Sequence, residues 1–234
     1  MAVKSLGEGP ATFWDAVSSR RATSALELTL ISSALVAAID AVMGTLLAWV
    51  LTRDDFRGRS AVNALLDLPF ALPTIVAGLT LLALYGPTGP APFDVGFTRA
   101  GIMFALLFVT LPFVVRAVQP VLLALDPEVE EAASSLGAGG WTAFRRIVLP
   151  ALRPAIVAGS GLAFGRALGE FGAVVLISGN LPFKTETAAV FVYGELEQGS
   201  TTGAAAISIV LILTSLAILL GLSTLARRGE EDER

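Results

Sequence analysis

Long blocks of apolar residues constrain this chain more than any other feature of its sequence. Of its 234 residues, 54% are hydrophobic and 15% are charged, and the mean hydropathy is +0.75. A soluble domain carries about 25% charged residues. A helix that crosses a bilayer needs about 20 mainly apolar residues, and five blocks reach that length. They cover residues 25–51, 61–85, 100–125, 154–178 and 202–226. The sequence therefore predicts an all-α polytopic membrane protein with about five transmembrane helices.

The basic residues outside these blocks predict how the chain is oriented in the membrane. The loops after the first and third blocks and the tail after the fifth share one side, which carries Arg53, Arg57, Arg59, Arg145, Arg146, Arg153, Arg227, Arg228 and Arg234. The other side has fewer, namely Lys4, Arg20, Arg21, Arg99 and Lys184. Because cytoplasmic loops carry the excess of basic residues, we expect the N-terminus outside and the C-terminus in the cytoplasm.

Three regions follow from this division of the chain. Residues 1–24 lack the continuous apolar core of a signal peptide and are interpreted as an extracytoplasmic or interfacial leader. Residues 25–226 form the predicted transmembrane domain, and residues 227–234 a charged cytoplasmic tail.

Several kinds of chemistry are excluded by residues that the sequence lacks. There is no cysteine and no histidine, which removes disulfides, thiolate metal sites and the commonest general base. The only lysines are Lys4 and Lys184, and neither follows a glycine, so the chain has no phosphate-binding P-loop. We therefore predict no catalytic residue, no metal and no cofactor on this chain, and ATP, if used, must bind another subunit. The net charge of −4 indicates no nucleic-acid partner.

The segment between the third and fourth blocks, residues 126–153, has the pattern of two short helices joined by a turn. Asp126 followed by Pro127 is typical of a helix start, and three glutamates follow near the positive end of the helix dipole. Gly137 is predicted to end this helix in a left-handed conformation. A second short helix would carry an apolar stripe formed by Trp141, Phe144, Ile147 and Val148.

A spaced motif runs through the same segment: Glu-Ala-Ala, three residues, Gly, nine residues, Ile-x-Leu-Pro. Its members are Glu131, Ala132, Ala133, Gly137, Ile147, Leu149 and Pro150. The motif resembles the EAA loop of binding-protein-dependent ABC importer permeases. The resemblance implies a type I (MetI-like) permease fold, in which this cytoplasmic loop docks onto a separate ABC ATPase. It also implies a second permease subunit, homologous or identical, and an extracytoplasmic binding protein, in addition to membrane lipids.

Four further segments indicate which importer this is. Residues 67–74 and 109–116 are similar to motifs of sulfate/thiosulfate permeases, whereas residues 166–173 resemble both sulfate and molybdate permeases. Residues 177–186 favour sulfate, so the implied partner is a sulfate-binding protein. Sulfate permeases usually carry an extra N-terminal span that this sequence does not show, and its length is closer to the molybdate type. A molybdate/tungstate permease therefore remains the alternative.

The apolar blocks contain a few residues that could line a pathway or form a gate. Arg166 and Glu170 are four apart and are predicted to share a helix face. Each costs about 2.5–3.5 kcal/mol at mid-bilayer, so they should pair or face water, either as a structural ion pair or as a gate. Asp40 is expected to face the bundle and bond a neighbouring helix, with a transport role as the alternative. A stripe for close helix packing, or beside the pathway, is predicted at Gly161, Gly165 and Gly169.

Two further expectations concern the shape of the spans. Pro69, Pro73 and Pro112 lie in or near them and tend to kink helices. Arg116, near the inner end of the third block, is expected to extend toward lipid headgroups.

Two other classes of function fit the sequence less well than a transporter. An integral membrane enzyme would need clustered catalytic groups, for which the only candidates are Glu128, Glu130 and Glu131, and their spacing fits a helix start better. A passive channel would leave the EAA loop without a purpose.

Overall fold

The computed structural model describes residues 10–231, and the side chains of residues 12–221. Within this range the chain is helical and has no β-strand. The helices are α1 (Pro10–Ser18), α2 (Arg20–Arg53), α3 (Arg59–Ala71), α4 (Thr74–Tyr85), α5 (Arg99–Ala124), α6 (Pro127–Ser135), α7 (Gly140–Ala143), a π-helical turn (Phe144–Val148), α8 (Leu149–Leu168), α9 (Gly172–Ile177), α10 (Ala188–Glu197) and α11 (Thr201–Glu231).

Four of the described helical stretches are long and apolar enough to cross a membrane. They are α2, α5, the continuous helix Gly140–Leu168 and the part of α11 that runs Thr201–Gly221. The pair α3 and α4 is a fifth candidate, bent by 120°. Phe70 of α3 packs on Phe113 midway along α5, whereas Tyr85 at the end of α4 packs on Phe104 near the start of α5. The bent pair therefore runs alongside α5, from its middle toward its start, and crosses the membrane beside it. This confirms an all-α fold of about five spans.

The second span is broken, although the sequence predicted one helix over residues 61–85. Leu72 is extended (φ −94°, ψ 140°) and Pro73 starts the next helix without an N–H to donate. Proline disfavours a helical conformation in the residue before it, so the chain turns at this point. Pro69 lies inside α3, but the break itself is at residues 72–73.

The fourth span also differs from the prediction of residues 154–178. Its helix continues upstream through the π-helical turn to Gly140 and stops at Leu168. Residues 169–171 interrupt it before the short helix α9. The first span begins earlier than predicted, at Arg20, where the Ser19 hydroxyl accepts the Ala22 N–H. Most of the predicted leader is thus helical from Pro10, residues 1–9 lie outside the described residues, and α11 extends through Glu231 into the predicted tail.

The two largest of four buried clusters in the described residues lie toward opposite ends of the bundle. The cluster at one end centres on Val36, Ile102, Leu106, Val174 and Ile177. The cluster near the 126–153 loop centres on Leu51, Val115, Val118, Val148 and Leu152.

Within the second cluster, α2 and α8 both approach α5 closely at Val114. A Cβ atom on Gly44 would lie 2.8 Å from the Val114 Cβ, and one on Gly159 would lie 2.9 Å from the Val114 Cα. The close packing of these three helices thus depends on glycines other than the stripe the sequence suggested.

Candidate functional site

The 126–153 loop projects from one end of the bundle and begins as predicted. The Asp126 carboxylate accepts the Glu128 N–H at 2.9 Å, and α6 follows. No residue of α6 is buried, and Leu136 at its end is 91% exposed. Gly137 has φ +86°, the left-handed conformation that was expected to end the helix. An exposed leucine beside a glycine turn is a surface that a partner protein can cover.

The second half of the loop is not a separate short helix. From Gly140 the chain is helical without interruption into the membrane span, and the π-helical turn lies between the two parts. Three members of the predicted apolar stripe lie in this turn, and Trp141 precedes it. Trp141 is 73% exposed, Phe144 and Ile147 are half-buried, and Val148 is buried. A π-turn holds one residue more per turn than an α-helix and is frequent at functional sites.

The motif residues are divided in the same way. Glu131, Ala132 and Gly137 are exposed on the projecting part of the loop. The members that join it to the span are half-buried, namely Ile147, Leu149 and Pro150, together with Ala133 in α6. One half of the motif is therefore available to a partner, and the other half attaches the loop to the membrane span.

An ion pair ties the loop to the end of the first span. Glu130 of α6 lies 2.6 Å from the Arg53 guanidinium, and both side chains are half-buried. The Arg53 guanidinium also lies over the ring of Trp49, 5.6 Å from its centroid, and Trp49 packs edge-on against Phe144. From the sequence, Arg53 contributed only to the predicted topology. Nothing in the sequence connects it to Glu130, which is 77 positions away.

Arg166 and Glu170 are paired, but not on one helix face. Glu170 lies beyond the end of α8, in the break before α9, and is buried. Its Oε2 lies 2.5 Å from the Arg166 guanidinium, an ion pair without hydrogen-bond alignment, and its Oε1 accepts the Ala173 N–H at 2.8 Å. Glu170 therefore connects the two halves of the broken span, while Arg166 remains partly exposed.

The glycines near this pair do not form a packing stripe. Gly161 is buried within α8. Gly165 meets only the side chain of Leu219, at 3.6 Å or more. Gly169 follows the last residue of α8 and has open space where a side chain would be. The expected continuous stripe is wrong at its third member, because the helix ends before Gly169.

The two helix breaks lie against each other. A side chain on Gly172, at the start of α9, would overlap the hydroxyl of Thr74, the first residue of α4. A side chain on Gly78 of α4 would overlap the carbonyl of Ala173. Broken helices are tolerated at membrane depth where their free backbone groups are satisfied or line a cavity, and in transporters they form substrate pathways.

Asp40 faces the bundle and bonds a neighbouring helix, as expected. It is fully buried, and its Oδ2 accepts the hydroxyl of Thr110 on α5 at 2.6 Å. Its Oδ1 has no hydrogen-bond partner among the described residues.

Arg116 does not extend to the headgroups, contrary to the expectation. Its guanidinium lies 2.7 Å from Asp67 of α3 and donates to Gln119 at 2.6 Å and to the Asn63 side chain at 3.1 Å. Arg116 therefore holds α3 against α5. Two of the acceptors, Asp67 and Asn63, are 49 and 53 residues away in sequence, and only the fold brings them within reach.

Comparison with known proteins gives a consistent result. The family described as binding-protein-dependent transport system inner membrane component matches residues 41–228. The chain is 45% identical over 225 residues to the sulfate transport system permease protein CysT of Escherichia coli (strain K12), covering 93% of this chain and 81% of that protein. It is 44% identical over 234 residues to CysT of Synechocystis sp. (strain ATCC 27184 / PCC 6803 / Kazusa), covering 97% of this chain and 82% of that protein.

Solved structures with the same fold are also ABC transporters. A bacterial transporter involved in the import of the acidic polysaccharide alginate has a TM-score of 0.79 at 21% identity, covering 97% of this chain and 86% of that chain. The MetNI methionine transporter in an inward-facing conformation has a TM-score of 0.68 at 17% identity, covering 94% of this chain and 99% of that one. At these identities the likeness concerns the fold alone.

Proposed function

Because the chain belongs to the family of binding-protein-dependent ABC importer permeases, we propose that it carries sulfate or thiosulfate across the cell membrane. Members of this family are membrane-spanning transport components rather than enzymes. The observation that carries the choice of anion is the 45% identity to the sulfate permease CysT over 93% of this chain. Residues 177–186, which resemble sulfate permeases more than molybdate ones, support the same choice.

In this proposal a separate ABC ATPase binds and hydrolyses ATP, and the 126–153 loop receives its motion. The exposed part of the loop, with Leu136 and Trp141, would contact the ATPase. The attached part leads straight into α8, and the Glu130–Arg53 pair leads into α2. A displacement of α6 would thus reach α2 through this ion pair, and a displacement of the helix that starts at Gly140 would pass into α8 without an intervening loop.

The proposal includes two further partners. Five spans are too few to enclose a pathway, so a second permease, homologous or identical, would complete it. An extracytoplasmic sulfate-binding protein would deliver the anion to the end opposite the 126–153 loop, which we call the coupling loop. This arrangement has the N-terminus outside and the C-terminus in the cytoplasm, in agreement with the distribution of arginines.

We further propose that the pathway passes the junction of the two helix breaks. Arg166 is partly exposed there and would attract a dianion, while Glu170 competes for the same guanidinium. Such competition keeps the anion weakly bound and allows release. Gly161, Gly165 and Gly169 would lie beside this route. Asp40 is buried with Thr110 and is assigned a packing role.

Uptake by the reconstituted transporter tests the proposal. The chain is combined in proteoliposomes with its ATPase, its partner permease and the binding protein, and radiolabelled sulfate uptake is measured with excess thiosulfate or molybdate. We expect ATP-dependent sulfate uptake that thiosulfate suppresses and molybdate does not. Suppression by molybdate at lower concentration would instead favour the molybdate/tungstate alternative, which residues 166–173 also resemble.

A further inference from the structure

At the end of the bundle opposite the coupling loop, two loops meet around unusual backbone conformations. Among the described residues, the non-glycine residues with positive φ are Phe97 (58°), Asn180 (53°) and Phe183 (64°), and all three lie in these loops. Asparagine tolerates this conformation, but bulky side chains rarely adopt it. Such strain persists only where the surrounding structure determines it.

The segment that contains Phe183 is a closed turn, which we call the outer knob (residues 181–184). The carbonyl oxygen of Leu181 accepts the N–H groups of Lys184, Thr185 and Glu186 at 2.9–3.1 Å. The Leu181 N–H in turn donates to the Thr185 hydroxyl at 3.1 Å. The backbone of the outer knob is therefore fixed by its own hydrogen bonds.

The outer knob is also fixed to two membrane spans. Buried Glu186 accepts two hydrogen bonds from Arg21 of α2, at 2.6 and 2.8 Å. Arg99 of α5 donates to the Lys184 carbonyl at 2.9 Å. Beside them, the Phe97 N–H donates to the Ile177 carbonyl at 2.7 Å, and the Phe97 ring covers Gly179. These anchors hold the outer knob in one orientation relative to the bundle.

The side chains of this rigid turn nevertheless point outward. Phe183 is 56% exposed, Leu181 46% exposed, and Pro182 and Lys184 are also exposed. Because these side chains are exposed, they contribute little to the stability of the bundle. The backbone strain at Phe183 lowers that stability and is not offset by burial of the ring. A rigid, apolar projection with one cation is instead suited to contact with another molecule.

We propose that the outer knob is a preformed docking element for the extracytoplasmic binding protein. Phe183 would enter an apolar pocket on that protein, and Lys184 would meet a carboxylate at the rim of the pocket. The inference rests on the proposed function, which supplies the partner. Aromatic anchors in a pocket carry much of the energy of an interface, and fixing them beforehand lowers the entropic cost of binding.

The membrane surface is a less suitable occupant for the outer knob. A fluid bilayer adapts to the shape of what it contacts, so a lipid anchor gains nothing from a strained, multiply bonded backbone. Side chains that anchor proteins at the interface are usually tryptophan and tyrosine, whereas the outer knob offers phenylalanine, leucine and proline.

The test measures binding of the purified, sulfate-loaded binding protein of the same organism to the complete transporter in nanodiscs. We expect Phe183→Ala to weaken binding at least tenfold. Lys184→Glu should slow association at low salt and have less effect at high salt, because rim charges act mainly on the association rate. Phe93→Ala is the matched control, since Phe93 is an exposed phenylalanine of the same end outside the outer knob. Basal ATPase activity should not change in any of these variants.

A second variant separates docking from folding. Phe183→Gly removes the ring but adopts positive φ without strain. We expect it to unfold at a temperature no lower than the wild type and still to bind at least tenfold more weakly. This result would assign the strain to the docking role.

Two results would overturn the proposal. Wild-type affinity in both Phe183→Ala and Lys184→Glu would show that the binding protein does not use the outer knob. Quenching of a Phe183→Trp fluorophore by brominated lipids, unaffected by the binding protein, would assign the outer knob to the membrane. A wild-type transporter that binds no sulfate-loaded protein and takes up no sulfate would refute the proposed function itself, which the variants alone cannot do.

Discussion

Glu170 is held at both of its carboxylate oxygens by the two halves of a broken membrane span. One oxygen pairs with Arg166 and the other accepts the Ala173 N–H. Removal of the second contact leaves a buried donor unsatisfied, which costs about 1–3 kcal/mol. We therefore expect Glu170→Ala to lower the free energy of unfolding by about that amount relative to Glu170→Gln, whose amide oxygen can still accept the N–H. Thermal unfolding of the two variants in detergent measures the difference, and equal stabilities would contradict this role.

At Asp40, one substitution separates a packing role from a transport role. Asn can accept the Thr110 hydroxyl through its side-chain oxygen, and it removes a buried carboxylate that has one unpartnered oxygen. We expect Asp40→Asn to be at least as stable as the wild type and to keep sulfate uptake within about twofold, because burial of an unpaired charge is costly. A stable variant without uptake would show that the carboxylate itself acts in transport.

Residue types and spacings were sufficient to predict a bonded, inward-facing Asp40 and a left-handed Gly137. They were insufficient for Arg116, because its acceptors Asp67 and Asn63 come from a different helix. They also could not identify Gly159 as a contact point, because only the arrangement of α5 puts Val114 beside it. The need of a buried carboxylate for a partner can be predicted from its own helix, whereas the identity of a partner on another helix cannot.

At the scale of helices, the turn at Gly137 makes a specific prediction about coupling. A left-handed conformation costs about 1–2 kcal/mol in any residue with a Cβ atom, and no neighbouring atom would otherwise obstruct a side chain here. Gly137→Ala should therefore reorient α6 and reduce both ATPase co-elution and uptake several-fold. Gly139→Ala is the matched control, because Gly139 also has open space but an ordinary φ of −68°. Equal loss in both variants would refute the explanation by backbone conformation.

The ion pair between Glu130 and Arg53 predicts a charge-reversal effect. Each single reversal, Arg53→Glu or Glu130→Arg, sets like charges side by side and should loosen α6 from the end of α2. We expect reduced uptake in each single variant and partial recovery in the double variant. Uptake and substrate-stimulated ATP hydrolysis are the measurements, and a double variant as poor as the sum of the singles would show that the two residues do not interact.

The positions of the helices were predicted better than their continuity. Apolar length located all five spans, and proline indicated that the second could bend. The interruption at residues 169–171 has no comparable signal, because a single glycine in an apolar run is compatible with a helix. It depends on Glu170, which bonds across the break to both Arg166 and Ala173.

For the whole molecule, the proposed orientation can be tested directly because the sequence contains no cysteine. Single cysteines at Leu136 and Lys184 would lie at opposite ends of the bundle, and both positions are exposed. A membrane-impermeant maleimide added to intact cells should label Lys184→Cys, and should label Leu136→Cys only after permeabilisation. The reverse pattern would overturn the orientation, and labelling of both sites in intact cells would refute a single topology.

The glycines that pack on Val114 hold α2, α5 and α8 together as a rigid unit, which we call the frame. Because Gly159 of α8 meets the Val114 backbone and Gly44 of α2 meets the Val114 side chain, each with no space for a Cβ atom, these three helices have little room to slide past one another and should move as one rigid body. Freedom to move is then left to α3, which contacts the frame through Arg116 and Phe70 without such a glycine contact, and to the two joints at residues 72–73 and 169–171. Covalent cross-links between members of the frame should leave the transport cycle running, whereas a cross-link that spans either joint should stop it.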